Sequence, residues 1–175
     1  TNLPAYVVMH GKKPRGGDPV WSSGFLPSVY QATALDPRQA KPISNLQRSG
    51  ELTDPQQRNL LDALRAANSR HARTRPFDRD LSARLESFEL AFRMQAETPG
   101  LVDLSGESKE TQEMYGIGDS KTDRNGRACL MARRLSEAGV RFVQVTIDGW
   151  DHHGDIRTAL PNSAGGADKP IAGLI

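Results

Sequence analysis

The 175 residues include 23 basic and 21 acidic side chains, for a formal net charge of +2, and 37% are hydrophobic. That suits one soluble globular domain with an ordinary core, and the near balance of charge excludes a nucleic-acid or membrane-surface partner argued from the total. The single cysteine excludes an intrachain disulfide and a cysteine-rich zinc site, and no apolar run approaches the roughly 20 residues that span a bilayer.

Residues 5–9 form a short β-rich run that empties into a glycine-rich basic loop, residues 10–17, bearing Lys12, Lys13 and Arg15. The loop reads first as solvated, because it lacks the lysine and hydroxyl ending of a phosphate-binding loop; its second reading is a guide for an anionic substrate. Residues 18–47 are rich in Pro, Ser and Gly, with Trp21, Phe25 and Tyr30 scattered among them. They predict irregular structure packed over a sheet, with at most a short helix after Pro27.

Asp54 as an N-cap, Pro55 at the first helical position and Gln57 at the third predict a helix start. Leu60, Leu61, Leu64 and Ala67 make its apolar face to about residue 73. A second start falls at Asp78, with Leu81, Leu85, Phe88, Phe92 and Ala96 at helical spacing until Pro99 and Gly100 end it. The two helices are expected to pair as a hairpin insertion over residues 51–100. His71 reads as a helix-end or surface residue. A short acidic helix over residues 105–115 is stopped by Gly116 and Gly118, and a charged loop leads to a helix over residues 127–138, closed by Gly139. Cys129 on that helix reads as a small semi-buried thiol. A last helix is expected near Asp168, with Pro170 in its first turn.

Residues 140–147 are a β-branched apolar run that predicts a central strand, and residues 148–155 hold a knot of charge just beyond it, so 140–155 reads as a central strand with its site loop. Functional groups collect beyond the carboxyl ends of strands in open α/β sheets, which is where Asp148, Asp151, His152, His153 and Asp155 stand. Residues two apart on extended chain share a side, so Asp151, His153 and Asp155 can converge while His152 points away, with Asp151 and His153 expected as the metal ligands. His152 and Asp155 support them, and Trp150 supplies an apolar wall. The bland reading is a polar loop bonded to its own backbone. Carboxylate and imidazole suit a divalent ion such as zinc, manganese or calcium, but one loop does not complete a coordination sphere. No serine stands in a nucleophile elbow, so no catalytic nucleophile is identified.

The segments 3–8, 87–95, 103–107, 133–135, 139–144 and 168–171, together with Gly149, Trp150, Asp151, His152, His153 and Gly154, resemble a large bacterial family of unknown function whose members are labelled sulfatase-like. That family resembles a branch of the alkaline phosphatase superfamily. The resemblance implies a three-layer α/β fold, a mixed sheet between flanking helices, with metal at the strand ends on Asp151 and His153. It also implies that the chain is an internal fragment of a longer, exported parent, periplasmic in location, whose other parts complete the sheet and supply the nucleophile and remaining ligands.

The leading functional expectation is a fragment of a metal-dependent hydrolase of sulfate or phosphate esters, taking a small anionic ester guided by Lys12, Lys13 and Arg15. One alternative is a non-catalytic binding or scaffold module with an incomplete metal site. The other is a carboxylesterase. The sequence sets neither the substrate, the metal nor the oligomeric state.

Overall fold

The computed structural model describes residues 2–10, 18–27, 30–39, 41–43, 46, 50, 52–73 and 79–175. Among them it forms a mixed α/β fold with a small parallel sheet of three strands and five α-helices. The strands are β1 (Tyr6–Met9), β2 (Thr33–Leu35) and β3 (Phe142–Val145), and the helices are α1 (Asp54–Arg73), α2 (Arg79–Val102), α3 (Lys109–Met114), α4 (Asp123–Glu137) and α5 (Ile156–Leu174).

The sheet order is β2-β1-β3, and both pairings are parallel. Val7, Val8 and Met9 are 2%, 0% and 0% exposed, so both faces of β1 are covered and β1 is the central strand. β3, expected at the centre, stands at an edge of this sheet, with Phe142 exposed and alternate residues half-buried. The expected parallel arrangement of the runs at residues 5–9 and 140–147 is present, with Met9 beside Val145. The segment expected to be irregular contains β2, which pairs Thr33 with Val7 and Leu35 with Met9.

Helix α4 is the hub. It packs on β3, on α2 and on α5, and Ala128, Leu130, Met131 and Leu135 join Val7, Met9, Leu35 and Tyr115 in one core. Cys129, expected to be semi-buried, is fully buried there, and burial pushes its thiol up to about 11. The helix ends as Gly139 forecast. Gly139, at φ 94°, donates its N–H to the Ser136 carbonyl while Val140 donates to Leu135, and buried Val140 and Leu135 lie on the core side.

Its start differs from the expected residue 127. The helix begins at Asp123 and runs through Gly126, because a side chain at 126 would collide with the Tyr115 carbonyl and glycine alone allows the approach. The other helices differ from expectation for comparable reasons. Helix α1 is capped one residue earlier than forecast: Thr53 N–H donates to Gln56 Oε1 at 2.8 Å and Gln56 N–H donates to Thr53 Oγ1 at 3.4 Å, a reciprocal capping box. Helix α2 continues through Pro99 and Gly100 because Thr98 is buried and Leu101 and Val102 pack on the core, a tertiary gain that outweighs the lost donor. Helix α5 begins at Ile156, and Gly166, Ala167 and Pro170 are its buried stripe, so Pro170 lies inside it rather than in its first turn. Asn125 Nδ2 donates to the Gly166 carbonyl at 2.8 Å, a contact that small residues on α5 permit.

Helices α1 and α2 pack against one another. Arg58 bridges them, at 2.8 Å from Glu89 and over the Phe92 ring.

Candidate functional site

All three strands end at one edge, and the backbone continues the ladder there. His10 N–H donates to the Leu35 carbonyl at 3.4 Å and Thr146 N–H to the Met9 carbonyl at 2.9 Å. That brings His10, Asp36 and the segment leading to Asp148 to the same edge, where groups at carboxyl ends of parallel strands are not consumed by the sheet. The ring of His10 lies on Trp21 with centroids 4.3 Å apart, and its Nδ1 is enclosed without a hydrogen-bond partner among the described residues.

Asp36 follows β2 and is the most constrained carboxylate of the edge. It accepts from Arg38 Nε at 2.8 Å, Arg38 Nη2 at 2.7 Å, the Arg38 N–H at 3.1 Å and Gln39 Nε2 at 3.2 Å. The Arg38 guanidinium holds its carboxyl far below the usual carboxylate range, against the opposing effect of burial. The Arg38 guanidinium is raised in turn, first by Asp36 and also by the charge of Asp148. Asp148 accepts from Arg124 Nη2 at 2.9 Å. Two strand-end carboxylates thus orient two guanidiniums, one from the turn after β2 and one from the first turn of α4.

Both arginines line a cavity of about 850 Å³, together with Lys41 and Arg127. Two carboxylates, Asp103 and Asp123, share the lining, so four formal positive charges face two negative ones. Arg127 Nε donates to Asp123 at 2.9 Å. A guanidinium carries five N–H donors, and among the described residues each of these pairs leaves some without an acceptor: Nη1 of Arg38, and Nε and Nη1 of Arg124.

The expected ligand pair lies further along the loop. His153 Nδ1 is 3.0 Å from Asp151 Oδ1, the convergence that period-two spacing forecasts, with side chains 80% and 75% exposed. His152 lies between them in sequence with its Nε2 enclosed and, among the described residues, no hydrogen-bond partner. Trp150 is half exposed, and the loop is fastened to α5 where Ser163 Oγ donates to the Gly149 carbonyl at 2.6 Å. Asp155 accepts from Thr158 Oγ1 at 2.6 Å at the start of α5, which lowers its carboxyl. Among the described residues, no group of three or more His, Cys, Asp or Glu is placed to hold a metal ion, so the pair does not by itself fit one. Lys12, Lys13 and Arg15 lie outside the described residues. Also among these residues, no helix is long and apolar enough to cross a membrane.

Sequence reasoning missed Asp36, Arg38, Arg124 and Arg127. One signal was present: Thr33, Ala34 and Leu35 followed by Asp36 repeat on a small scale the strand-then-acid pattern of residues 140–148. Arg38 and Arg127 stand two and four residues from the carboxylates that hold them, spacings common on any charged surface, and Arg124 pairs with Asp148 24 residues away, beyond any local rule.

The model of one family, described as a protein of unknown function (DUF1501), matches residues 1–175. No curated protein and no solved structure matches the chain. The resemblance to sulfatase-like members of the alkaline phosphatase superfamily is therefore corrected: the matching family is one of unknown function, and nothing in the match indicates that superfamily.

Proposed function

We propose, for a chain that belongs to the DUF1501 family of proteins of unknown function, that it binds small anionic esters of the sulfate or phosphate type in the cavity at the carboxyl edge of its sheet. One observation carries this reading: Arg38 and Arg124, each held by a strand-end carboxylate, line the same cavity beside Arg127 and Lys41. Planar guanidiniums fixed by one carboxylate offer their remaining N–H groups to a tetrahedral oxyanion without first losing rotamer freedom. The cavity volume falls within the roughly 300–1,000 Å³ typical of small-molecule sites.

Hydrolysis of the same esters is a second reading, favoured by the 3.0 Å contact of His153 Nδ1 with Asp151. A carboxylate on one ring nitrogen fixes the tautomer and leaves Nε2 to take a proton from water. No step is routed through zinc, manganese or calcium, because the described donors do not fit an ion.

The test is calorimetric titration of the protein with inorganic sulfate, inorganic phosphate, 4-nitrophenyl sulfate and 4-nitrophenyl phosphate at low ionic strength. Binding is expected, weakened at least about tenfold in Arg124→Gln, the scale of one charge-assisted hydrogen bond. Absence of binding by all four anions to the wild-type chain overturns the reading. Release of 4-nitrophenol, lost in His153→Ala, separates hydrolysis from binding alone.

A further inference from the structure

The polarity of the cavity is not mixed evenly. Arg124, Arg127 and Met131 all line it from α4, and their spacing of three and then four residues puts them in one stripe along that helix. The stripe is cationic at its amino-terminal end and apolar seven residues later. At 1.5 Å per residue that is a gradient of about 10 Å along the helix axis. Other elements add to the apolar part of the lining. Pro42 and Ile43 contribute from the segment after β2, Val102 from the end of α2, and Leu104 just beyond it. Leu104 and Met131 are buried core residues, while Ile43 and Val102 are half-buried and pack against that core.

A free inorganic anion uses only the arginine end of such a cavity. Water against the apolar lining would be released by a ligand with a hydrocarbon part, and that release is a driving force additional to the charge. Resting on the proposed anion site, we infer that its ligand is amphiphilic: a sulfate or phosphate monoester of an alkyl or aryl alcohol, with the ester anion at Arg38, Arg124 and Arg127 and the hydrocarbon along Ile43, Val102 and Met131. Asp103 and Asp123, which also line the cavity, oppose a second negative charge on the ligand.

The test titrates the intact chain with methyl sulfate, hexyl sulfate and hexyl phosphate, below any micelle-forming concentration and with far-UV circular dichroism recorded throughout. Hexyl sulfate is expected to bind at least about tenfold more tightly than methyl sulfate, the gain from burying about two methylenes. In Val102→Thr and Ile43→Asn, each checked for an unchanged melting profile, the hexyl-to-methyl ratio is expected to fall to within about threefold. The wild-type ratio needs no variant, so a misfolded substitution leaves the test intact. Methyl and hexyl sulfate binding equally well overturns the amphiphilic ligand and leaves the anion site standing. Failure of every anion overturns both. A hexyl gain unchanged in both variants places the hydrocarbon elsewhere and also overturns the inference. Hexyl phosphate binding as well as hexyl sulfate supports the shared ester chemistry, and tighter binding of the sulfate identifies the monoanionic headgroup as preferred.

Discussion

Along α1 the leucines at positions 60, 61 and 64 recur at helical spacing, as Ala128, Met131 and Leu135 do along α4. Leu60 and Leu64 are nevertheless 50% and 41% exposed, whereas Leu130 and Leu135 are 0% and 2% exposed. The difference lies in what meets each helix. α4 has the sheet on one side and α2 and α5 on others, while α1 has its hairpin partner α2, joined through Arg58. Periodicity states which face of a helix is apolar; the number of neighbouring elements decides how much of that face leaves water.

The largest expected effect follows directly. Leu130→Ala should lower unfolding free energy by about 2–5 kcal/mol, the range for a buried leucine that leaves a cavity. Leu60→Ala should cost less than about 0.5 kcal/mol, as surface substitutions do. Urea denaturation of the two variants measures both, and equal losses would break the contrast by making α1 part of the same core.

Glycines sharpen it. Gly126→Ala in α4 drives a methyl group into the Tyr115 carbonyl and should destabilise by about 1–3 kcal/mol. Gly100→Ala, near the end of α2 with open space around it, should stabilise by about 0.5–1 kcal/mol through helix propensity. Opposite shifts in thermal midpoint are the expected result, and a stabilised Gly126→Ala would show that α4 and Tyr115 are less closely packed than described.

The smallest effect concerns charge. The Asp36 side chain is 13% exposed and the Glu89 side chain of the hairpin 32%. Both carboxyls are lowered, first by Arg38 and by Arg58 respectively. A carboxyl whose folded value is depressed contributes stability that is fully present above its unfolded value, near 3.9 for Asp, and is lost as the pH falls below it. Between about pH 4 and pH 2, Asp36→Asn should flatten the fall in stability by on the order of 1 kcal/mol, and Glu89→Gln by less, because its more exposed pair is screened. A larger flattening from Glu89→Gln would reverse the ranking of the two regions.

How far the sequence could be read follows the range of the forces involved. The helix starts near residues 54 and 78 and the glycine stop at 139 are written in neighbouring residues, and they appear within one residue of their forecast places. The continuation of α2 through Pro99 is settled by packing against the core, which no local rule contains. β2 is three residues long, and its pairing with β1 gives it strand form. The convergence of Asp151 with His153 was legible because alternation along extended chain is local, but their exposure was not. The arginine-lined cavity stayed hidden because Arg38 and Arg124 acquire a common site only when residues far apart in sequence fold together.

The pairing of Tyr6 with β3 carries one further consequence, in time rather than space. Tyr6 Oη donates to Gln144 Oε1 across 138 residues of chain, from the central strand to the edge strand. A ribosome adding about 5–20 residues per second completes that interval in roughly 7–28 seconds. For that period β1, the central strand of the sheet, has no β3 to pair with, so the earlier of these two strands waits for its partner with one edge uncovered.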